Sequence, residues 1–218
     1  ADGKALVAGD LTMTGQQLKP MGPLDFEELI DVYKEQIRYI TEAGADLLVV
    51  ETMMSLQESR AALIAAKETC PDIPVMVTMT FESDGRSLFG TDAATAAIVL
   101  SSLGADAVGA NCSTGPDQMA EVIRRMAKVT DIPIIAKPNA GLPSLDEKGQ
   151  TVYDMGPEEF GADMELLLDA GAQILGGCCG TTPEHIRKMT QRLAGRPVPV
   201  HGNPTQRALT SELSLIHI

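Results

Sequence analysis

Three of the four cysteines in the sequence stand directly after segments that are predicted to be strands. Cys112 follows the run DAVGAN, and Cys178 and Cys179 follow the run QILGG. In a parallel α/β fold the carboxyl ends of the strands form the face at which ligands bind. The three thiols can therefore meet at that face if the sheet curls or its loops converge. Cys70 ends a predicted helix before Pro71 and is expected to be an ordinary, inert thiol.

Several interpretations of this cysteine cluster compete. A disulfide, including a strained one between the adjacent Cys178 and Cys179, is disfavoured because the acidic chain shows no signal peptide. Free thiols beside glycines are one alternative, and three thiolates around a zinc ion are another. Zinc with three protein ligands keeps its fourth position open, as in catalytic sites. Three thiolates make the ion a weak Lewis acid, yet a substrate thiol bound there would stay deprotonated and nucleophilic, which suggests alkyl transfer to a thiol.

The segments around these cysteines alternate between helices and strands. Three predicted helices end at a glycine that an apolar run follows, and two further apolar runs follow the tripeptide Asp-Ile-Pro. Strict alternation with buried strands predicts a parallel sheet. The predicted strands cover residues 5–10, 47–51, 74–81, 106–111, 132–137 and 173–177, and the predicted helices cover 24–43, 56–69, 92–103, 116–128, 157–170 and 183–194.

Two features favour a barrel over an open dinucleotide-binding sheet. No G-x-G-x-x-G motif follows the first predicted strand, so the dinucleotide-binding version is not supported. A long polar loop lies within residues 136–156, after a strand, as is typical of the functional face of a barrel. Six strands could form a doubly wound open sheet or most of a (β/α)8 barrel.

Capping residues mark where several helices should begin. Asp25 with Glu28, and Ser55 with Glu58, predict capping boxes at the first two helices. Proline at the first helical position is predicted for three later helices, which begin at Pro116, Pro157 and Pro183. Thr182 is predicted to cap the last helix, and His185, one turn inside it, is expected to have a structural role.

The composition excludes several classes of partner. The chain has 218 residues, a net charge of −13 and no basic run, which argues against binding to nucleic acid or to an anionic membrane surface. It has no Trp, 3 Tyr and 4 Phe, too few aromatic rings to suggest a base-stacking or sugar-binding platform. No apolar stretch approaches the roughly 18 residues that span a bilayer. We expect a cytoplasmic protein.

Three motifs resemble those of the homocysteine S-methyltransferase family: GANCSTGP (109–116), PNAGLP (138–143) and GGCCGTTPEHI (176–186). The resemblance covers roughly residues 5–195. Two further segments, GDLTMTGQQLKPMG (9–22) and TFESDGRSLFGT (80–91), are similar to the homocysteine-binding domain of the cobalamin-dependent methionine synthases.

The resemblance implies a (β/α)8 TIM barrel in which Cys112, Cys178 and Cys179 hold the zinc ion that binds the sulfur of homocysteine. Methylcobalamin would supply the methyl group and methionine would be the product. Cobalamin and methyltetrahydrofolate would be bound by other domains of the same full-length protein. Betaine or S-methylmethionine could instead be the methyl donor, since the zinc motif is shared. Outside this class, the alternatives are a zinc-free barrel in which GGCCGTT binds phosphate, and an inactive fragment.

Other residues receive substrate-binding roles beside the three cysteines. Glu51, at the end of the run LLVVE, is predicted to bind the substrate ammonium group, with Asp10 as the second choice. Asn139 could close over the site or give an oxygen to zinc before the substrate arrives. Lys137 could be a Schiff-base lysine of an aldolase-like barrel, but no partner constellation in the sequence supports that role.

The number of βα units predicts an incomplete barrel. Six units are present, whereas the family's first two strands, with an Asp-Gly-x-x-Gly-Thr-type segment, have no match. We therefore expect an N-terminally truncated barrel that contains strands 3 to 8 and exposes the edges of its first and last strands. Residues 1–200 would form this partial homocysteine-binding domain. Residues 201–218 would be a C-terminal tail, whose last residues, LSLIHI, look unrelated to the rest.

Overall fold

The computed structural model describes residues 3–202, 208–213 and 215–217 of the chain. Helices and strands alternate along most of it, as predicted. In chain order the elements are β1 (Ala8–Leu11), α1 (Phe26–Glu42), β2 (Leu47–Met53), α2 (Leu56–Thr69), β3 (Val75–Met79), α3 (Ala93–Ser102), β4 (Ala107–Asn111), α4 (Pro116–Ala127), β5 (Ile134–Lys137), β6 (Pro143–Leu145), β7 (Thr151–Tyr153), α5 (Pro157–Ala170), β8 (Ile174–Leu175), α6 (Pro183–Leu193), β9 (Ala208–Thr210) and β10 (Leu215–His217).

Six strands form one parallel sheet in the order β1-β2-β3-β4-β5-β8. Each strand lies beside the next sheet strand in the chain, and each helix packs against the helix that follows it. A doubly wound sheet instead reverses its strand order at a switch point. The predicted parallel α/β fold is confirmed, and the sequential order places the carboxyl ends of all six strands along one rim.

The core lies between the sheet and the layer of helices. Leu29 and Ile37 of α1, Leu63 of α2 and Phe160 of α5 are fully buried there. Strand β4 is buried along its whole length. A Cβ on Gly109 in this strand would lie 1.8 Å from the Ile135 carbonyl oxygen, so only glycine allows β4 and β5 to approach this closely. This packing fixes the strand end that precedes Cys112.

The strands differ in detail from the predicted ones. Strand β1 begins at Ala8 rather than at residue 5, and β8 has only two residues in place of five. The polar loop contains an antiparallel hairpin, β6 with β7, that the sequence analysis did not predict. A second unpredicted hairpin joins β9 and β10 in the tail.

The predicted capping residues have mixed outcomes. The capping box at Asp25 is wrong, because its carboxylate makes no cap and pairs instead with the Lys19 ammonium at 2.6 Å. At α2 the Ser55 side chain accepts the hydrogen bond from the Glu58 amide, as predicted, but the Glu58 carboxylate does not reach back. It binds Thr14 and the Tyr33 hydroxyl instead.

Prolines begin α4, α5 and α6 as predicted. The last helix also has a capping box. Thr182 caps it, and the Nδ1 atom of His185 accepts a hydrogen bond from the Thr182 amide at 3.2 Å. The His185 Nε2–H group donates to the Met155 carbonyl oxygen at 3.1 Å, so this histidine is structural, as expected.

The structure describes part of the predicted tail. The Gln173 side chain donates a hydrogen bond to the Pro199 carbonyl oxygen, and the His201 ring binds the Gly171 carbonyl oxygen at 2.7 Å. Residues 203–207, 214 and 218, which belong to the predicted tail 201–218, lie outside the described residues. Among the helices that the structure describes, none has the length and apolar character to cross a membrane.

Candidate metal centre

The two cysteine-bearing segments are attached to the end of the same strand. Cys112 follows the last residue of β4, and its amide donates to the Lys137 carbonyl oxygen at 3.0 Å. Cys178 follows β8, and its amide donates to the Pro138 carbonyl oxygen at 2.8 Å. Because β5 lies between β4 and β8 in the sheet, these bonds hold both segments against its carboxyl end.

The three predicted ligand atoms lie together. The Sγ atoms of Cys112, Cys178 and Cys179 are all within 4.8 Å of one another, and those of Cys112 and Cys179 are 3.8 Å apart. A tetrahedral zinc ion with Zn–S bonds of about 2.3 Å would separate its sulfur ligands by about 3.8 Å. All three thiols are free. The donor set and its spacing therefore fit zinc, and within the described residues no other group of this kind is found.

A turn with unusual backbone angles presents Cys112. Cys112 and Ser113 have φ values of 64° and 61°, in the left-handed region that costs a residue with a side chain about 1 kcal/mol or more. The Thr114 amide closes the turn by donating to the Cys112 carbonyl oxygen, and the Thr114 carbonyl oxygen accepts from the Asn139 amide. The surrounding hydrogen bonds thus maintain a strained turn at the proposed ligand, as is common at functional sites.

Asn139 holds the second cysteine of the doublet. Its side chain is 3% exposed, and its Oδ1 atom accepts a hydrogen bond from the Cys179 amide at 3.1 Å. The Ala140 amide in turn donates to the Cys179 carbonyl oxygen. The structure therefore places Asn139 at the cluster, where it orients Cys179. Its predicted contact with zinc stays a prediction.

Asn111 belongs to the site, although the sequence motifs did not predict it. Its fully buried Oδ1 atom accepts hydrogen bonds from the Thr52 amide and the Thr78 hydroxyl, at 2.8 and 2.7 Å. Its Nδ2 atom donates to the Thr52 hydroxyl and points to the Cys178 Sγ atom at 3.7 Å. An amide side chain inside an otherwise apolar strand, directly before Cys112, is the sequence feature that could have identified it.

The thiols share protons unequally. A hydrogen bond from the Cys178 thiol lowers the pKa of Cys112 to about 7, although burial opposes the shift. The same hydrogen bond, together with burial, raises the pKa of Cys178. Of the two neighbouring cysteines, Cys178 favours a thiolate on Cys112 and Cys179 opposes it.

Charged residues lie at the same rim. Glu51, in β2, forms an ion pair with the Lys137 ammonium at the end of β5, and the two side chains are only 26% and 17% exposed. Burial lowers the pKa of Lys137, while Cys178 and Asp10 act to raise it. Asp10 itself is exposed in β1. The structure thus brings Glu51 to the rim of the cysteines, in contact with a lysine whose pairing the sequence did not predict.

The unpredicted hairpin β6–β7 reaches the cysteine doublet. A Cβ on Gly180, the residue after Cys179, would lie 2.4 Å from the Cγ atom of Tyr153, so the tyrosine ring rests on this glycine. The Tyr153 hydroxyl donates a hydrogen bond to the Cys179 sulfur, and this raises the pKa of the hydroxyl. The hairpin therefore covers one side of the thiol cluster.

The turn after β8 is a poor phosphate site. A phosphate-binding loop needs free backbone amides. Here the amides of Cys178, Cys179, Thr181 and Thr182 all donate within the protein, to Pro138, Asn139, Cys178 and His185 respectively. This bonding argues against the alternative in which GGCCGTT binds phosphate.

Comparisons with known proteins agree with the motifs. Residues 1–193 match the family model described as homocysteine S-methyltransferase. The methionine synthase of Mycobacterium leprae (strain TN) is 35% identical over 198 residues, which are 88% of this chain and 16% of that protein. The methionine synthase of Mycobacterium tuberculosis (strain ATCC 25618 / H37Rv) is 34% identical over 198 residues, with the same coverage of both. The chain thus spans about a sixth of the length of these relatives.

Solved structures show the same fold. The apo form of the homocysteine methyltransferase MmuM from Escherichia coli superposes with a TM-score of 0.69 at 23% identity, over 86% of this chain and 63% of that one. Its metallated form gives a TM-score of 0.70 at 22% identity, over 87% of this chain and 62% of that one.

Proposed function

Since the chain belongs to the homocysteine S-methyltransferase family, we propose that it transfers a methyl group to the thiol of homocysteine, giving methionine, at a zinc ion held by Cys112, Cys178 and Cys179. The observation that carries this proposal is the convergence of three Sγ atoms within 4.8 Å. The free state of all three thiols supports it, since a thiolate is the form that binds zinc.

Zinc bound to three thiolates would keep the substrate thiol deprotonated at neutral pH while leaving its sulfur electron-rich. The substrate sulfur would form the new C–S bond with its lone pair, the donor would keep the electron pair of its broken bond to the methyl group, and the thiol proton would leave to solvent. Asn139 orients Cys179, and Asn111 orients the end of β4 and faces Cys178.

We further propose that Glu51 binds the ammonium group of homocysteine. Its carboxylate lies at the rim that carries the cysteines, and its side chain is three-quarters buried, which strengthens a charge contact. Asp10 remains the second choice, because it is exposed and lies in β1, the strand next to the one that carries Glu51.

Methylcobalamin is the methyl donor that we propose. The two relatives described above are methionine synthases, and segments 9–22 and 80–91 resemble the homocysteine-binding domain of the cobalamin-dependent members. Because the chain spans only 16% of these relatives, the cobalamin- and folate-binding parts would belong to other domains of a longer protein. Betaine or S-methylmethionine is the alternative donor.

We propose that the six strands are part of an eight-stranded barrel. The sequential strand order and the helices on one side support this, as do solved relatives of which the chain covers 62–63%. Two further strands would then lie between β8 and β1 and complete the substrate pocket. We also propose a cytoplasmic location, where thiols such as these stay reduced.

Metal analysis combined with calorimetry tests the function. The chain purified without chelator should contain about one zinc ion, and the zinc-loaded chain should bind homocysteine. Cys179→Ser should weaken homocysteine binding by about tenfold or more, since even the loss of a residue behind a metal ligand costs about 10–100-fold. Cys70→Ser, which changes a thiol at the end of α2, is the matched control and should bind normally. Equal affinity in both variants would contradict a direct zinc–sulfur bond.

A further inference from the structure

Thr52 has a backbone conformation that its residue type disfavours. It lies near the end of β2, where the pairing with β3 shifts its register between Val50 and Met53. The φ angle of Thr52 is 59°, in the left-handed region, where a β-branched residue is a genuine outlier. Such a conformation persists only where the surrounding contacts hold it, and such residues cluster at functional sites. The contacts of Thr52 therefore indicate what its strained conformation supports.

Asn111 contacts Thr52 at two points. The Asn111 Oδ1 atom accepts a hydrogen bond from the Thr52 amide at 2.8 Å, and the Nδ2 atom donates one to the Thr52 hydroxyl, also at 2.8 Å. Because a backbone amide can only donate, Thr52 determines which end of the Asn111 side chain is oxygen and which is nitrogen. The Thr78 hydroxyl, which donates to Oδ1 at 2.7 Å, agrees with this assignment. The orientation of the Asn111 amide group is therefore fixed.

The orientation matters because of the atom that the nitrogen faces. Nδ2 carries two hydrogens. One goes to the Thr52 hydroxyl, and the other is left for the Cys178 Sγ atom at 3.7 Å. The Asn111 side chain is fully buried, so bulk water does not compete for this hydrogen. A reversed amide would turn oxygen lone pairs toward the sulfur, so the observed orientation suits a thiolate, which can only accept hydrogen bonds.

We propose that Asn111 stabilises the Cys178 thiolate of the metal site through an N–H···S hydrogen bond, and that Thr52 is the positioning residue that turns the Asn111 amide toward the sulfur. This inference rests on the proposed function, because it needs Cys178 as a zinc ligand. Groups that hydrogen-bond to metal ligands orient those ligands and tune the charge that they give to the metal. The strained segment of β2 thereby helps to orient a ligand that follows a different strand, β8.

Substitutions of Thr52 separate the effect of its hydroxyl from that of its shape. Thr52→Val keeps the branched shape and removes one of the two hydrogen bonds that join Thr52 to Asn111. We expect the zinc affinity, measured by competition with a chromogenic chelator, to fall about 3- to 10-fold, which is the effect of one hydrogen bond. Thr52→Ser keeps the hydroxyl and should retain the zinc affinity of the unmodified chain.

Thr78→Val is the matched control. It removes a hydroxyl that also bonds to Asn111, but it leaves both contacts with Thr52 in place, so the zinc affinity should not change. Thermal melting of the metal-free variants establishes that each chain is folded. Thr52→Ala, which also removes the hydroxyl, takes the place of Thr52→Val if that chain does not fold.

Cobalt(II) bound in place of zinc gives a signal that a purely structural role of Thr52 would not change. Loss of an N–H···S hydrogen bond raises the energy of the sulfur electrons. The thiolate-to-cobalt charge-transfer band should therefore move to longer wavelength in Thr52→Val. It should keep its position in Thr52→Ser and in Thr78→Val.

The failure of this inference can be told from the failure of the proposed function. If Thr52→Val matches the unmodified chain in zinc affinity and in the cobalt spectrum, the role of Thr52 is wrong although the function stands. Equal losses of zinc affinity in Thr52→Val and Thr78→Val would likewise overturn it, since the amide orientation would then not be what matters. If the unmodified chain binds neither metal, the proposed function fails, and this inference with it.

Discussion

At the scale of single residues, the proposed site depends on buried polar side chains that hold the cysteine-bearing segments in place. Asn111 joins β2, β3 and the turn after β8 through hydrogen bonds to Thr52, Thr78 and Cys178. Because its side chain is fully buried, each bond lost leaves a buried polar group without a partner. The same residue thereby contributes to stability and to the placement of a proposed ligand.

We predict that Asn111→Leu lowers the free energy of unfolding by about 2–4 kcal/mol, because it keeps the volume and leaves several polar groups unpaired. It should also weaken zinc binding, measured by competition with a chromogenic chelator. Thr78→Val is the control within the same network. It removes one hydroxyl that donates to Asn111, and we expect a loss of only about 1 kcal/mol with unchanged zinc affinity. If urea unfolding shows that both variants lose the same free energy of unfolding, this role of Asn111 is contradicted.

At the scale of elements, the hairpin β6–β7 matters because its Tyr153 rests on the turn of the cysteine doublet. Gly180 has a φ of +79°, and the tyrosine ring occupies the space where a side chain would begin. Gly149, in the turn of the same hairpin, has a φ of +72° and nothing within 4 Å of its Cβ position. The two glycines share a backbone conformation and differ in what surrounds them.

We predict that Gly149→Ala lowers the free energy of unfolding by about 1 kcal/mol, because alanine is strained in the left-handed backbone conformation. Gly180→Ala should cost about 1–3 kcal/mol more, because Tyr153 must move, and it should also lower zinc affinity by displacing Cys179. Thermal unfolding and chelator competition measure the two effects. Similar behaviour of both variants in both measurements would show that the hairpin does not support the metal site.

Most of the sheet and helices could be predicted from the sequence because apolar runs, glycines and prolines are local features. The cysteine cluster could be predicted for a related reason, since carboxyl ends of parallel strands share one rim. The hairpin β6–β7 could not be predicted, because its three-residue strands are mostly exposed and carry no apolar alternation. The ion pair of Glu51 with Lys137 depends on the curvature of the sheet, which no local pattern contains. The Asp25 capping box failed because Lys19 competes for the carboxylate.

At the scale of the whole molecule, the thiol cluster joins segments that are distant in the chain. Cys112 and the doublet at 178–179 come from different βα units, so a bound metal ion would connect the fourth and last strands of the sheet. A ligand that binds only the folded state stabilises it by mass action.

We predict that zinc at about a thousand times its dissociation constant stabilises the chain by about 4 kcal/mol. For a chain of this size this corresponds to a rise in Tm of about 8–16 °C, which a chelator should reverse. Cys179→Ser should lose most of the rise, whereas Cys70→Ser should keep it. Calorimetric melting curves that do not change with zinc would contradict a zinc site that is assembled by the folded strands.

The edges of the sheet give a second prediction at this scale. Among the described strands, β1 pairs only with β2 and β8 pairs only with β5, so both present an open edge. A chain extended by the two βα units that the proposed barrel requires should melt at a temperature higher by about 5 °C or more, because both edges become paired. Equal melting temperatures of the two zinc-free chains would contradict closure into a barrel.

The proposed function requires that three cysteines hold a zinc ion whose open position takes the sulfur of homocysteine. X-ray absorption at the zinc edge counts the sulfur atoms around the metal directly. We predict three sulfur ligands and one lighter atom in the zinc-loaded chain, and a fourth sulfur at about 2.3 Å after homocysteine is added. A sulfur count below three, or a count that homocysteine leaves unchanged, would contradict the claim.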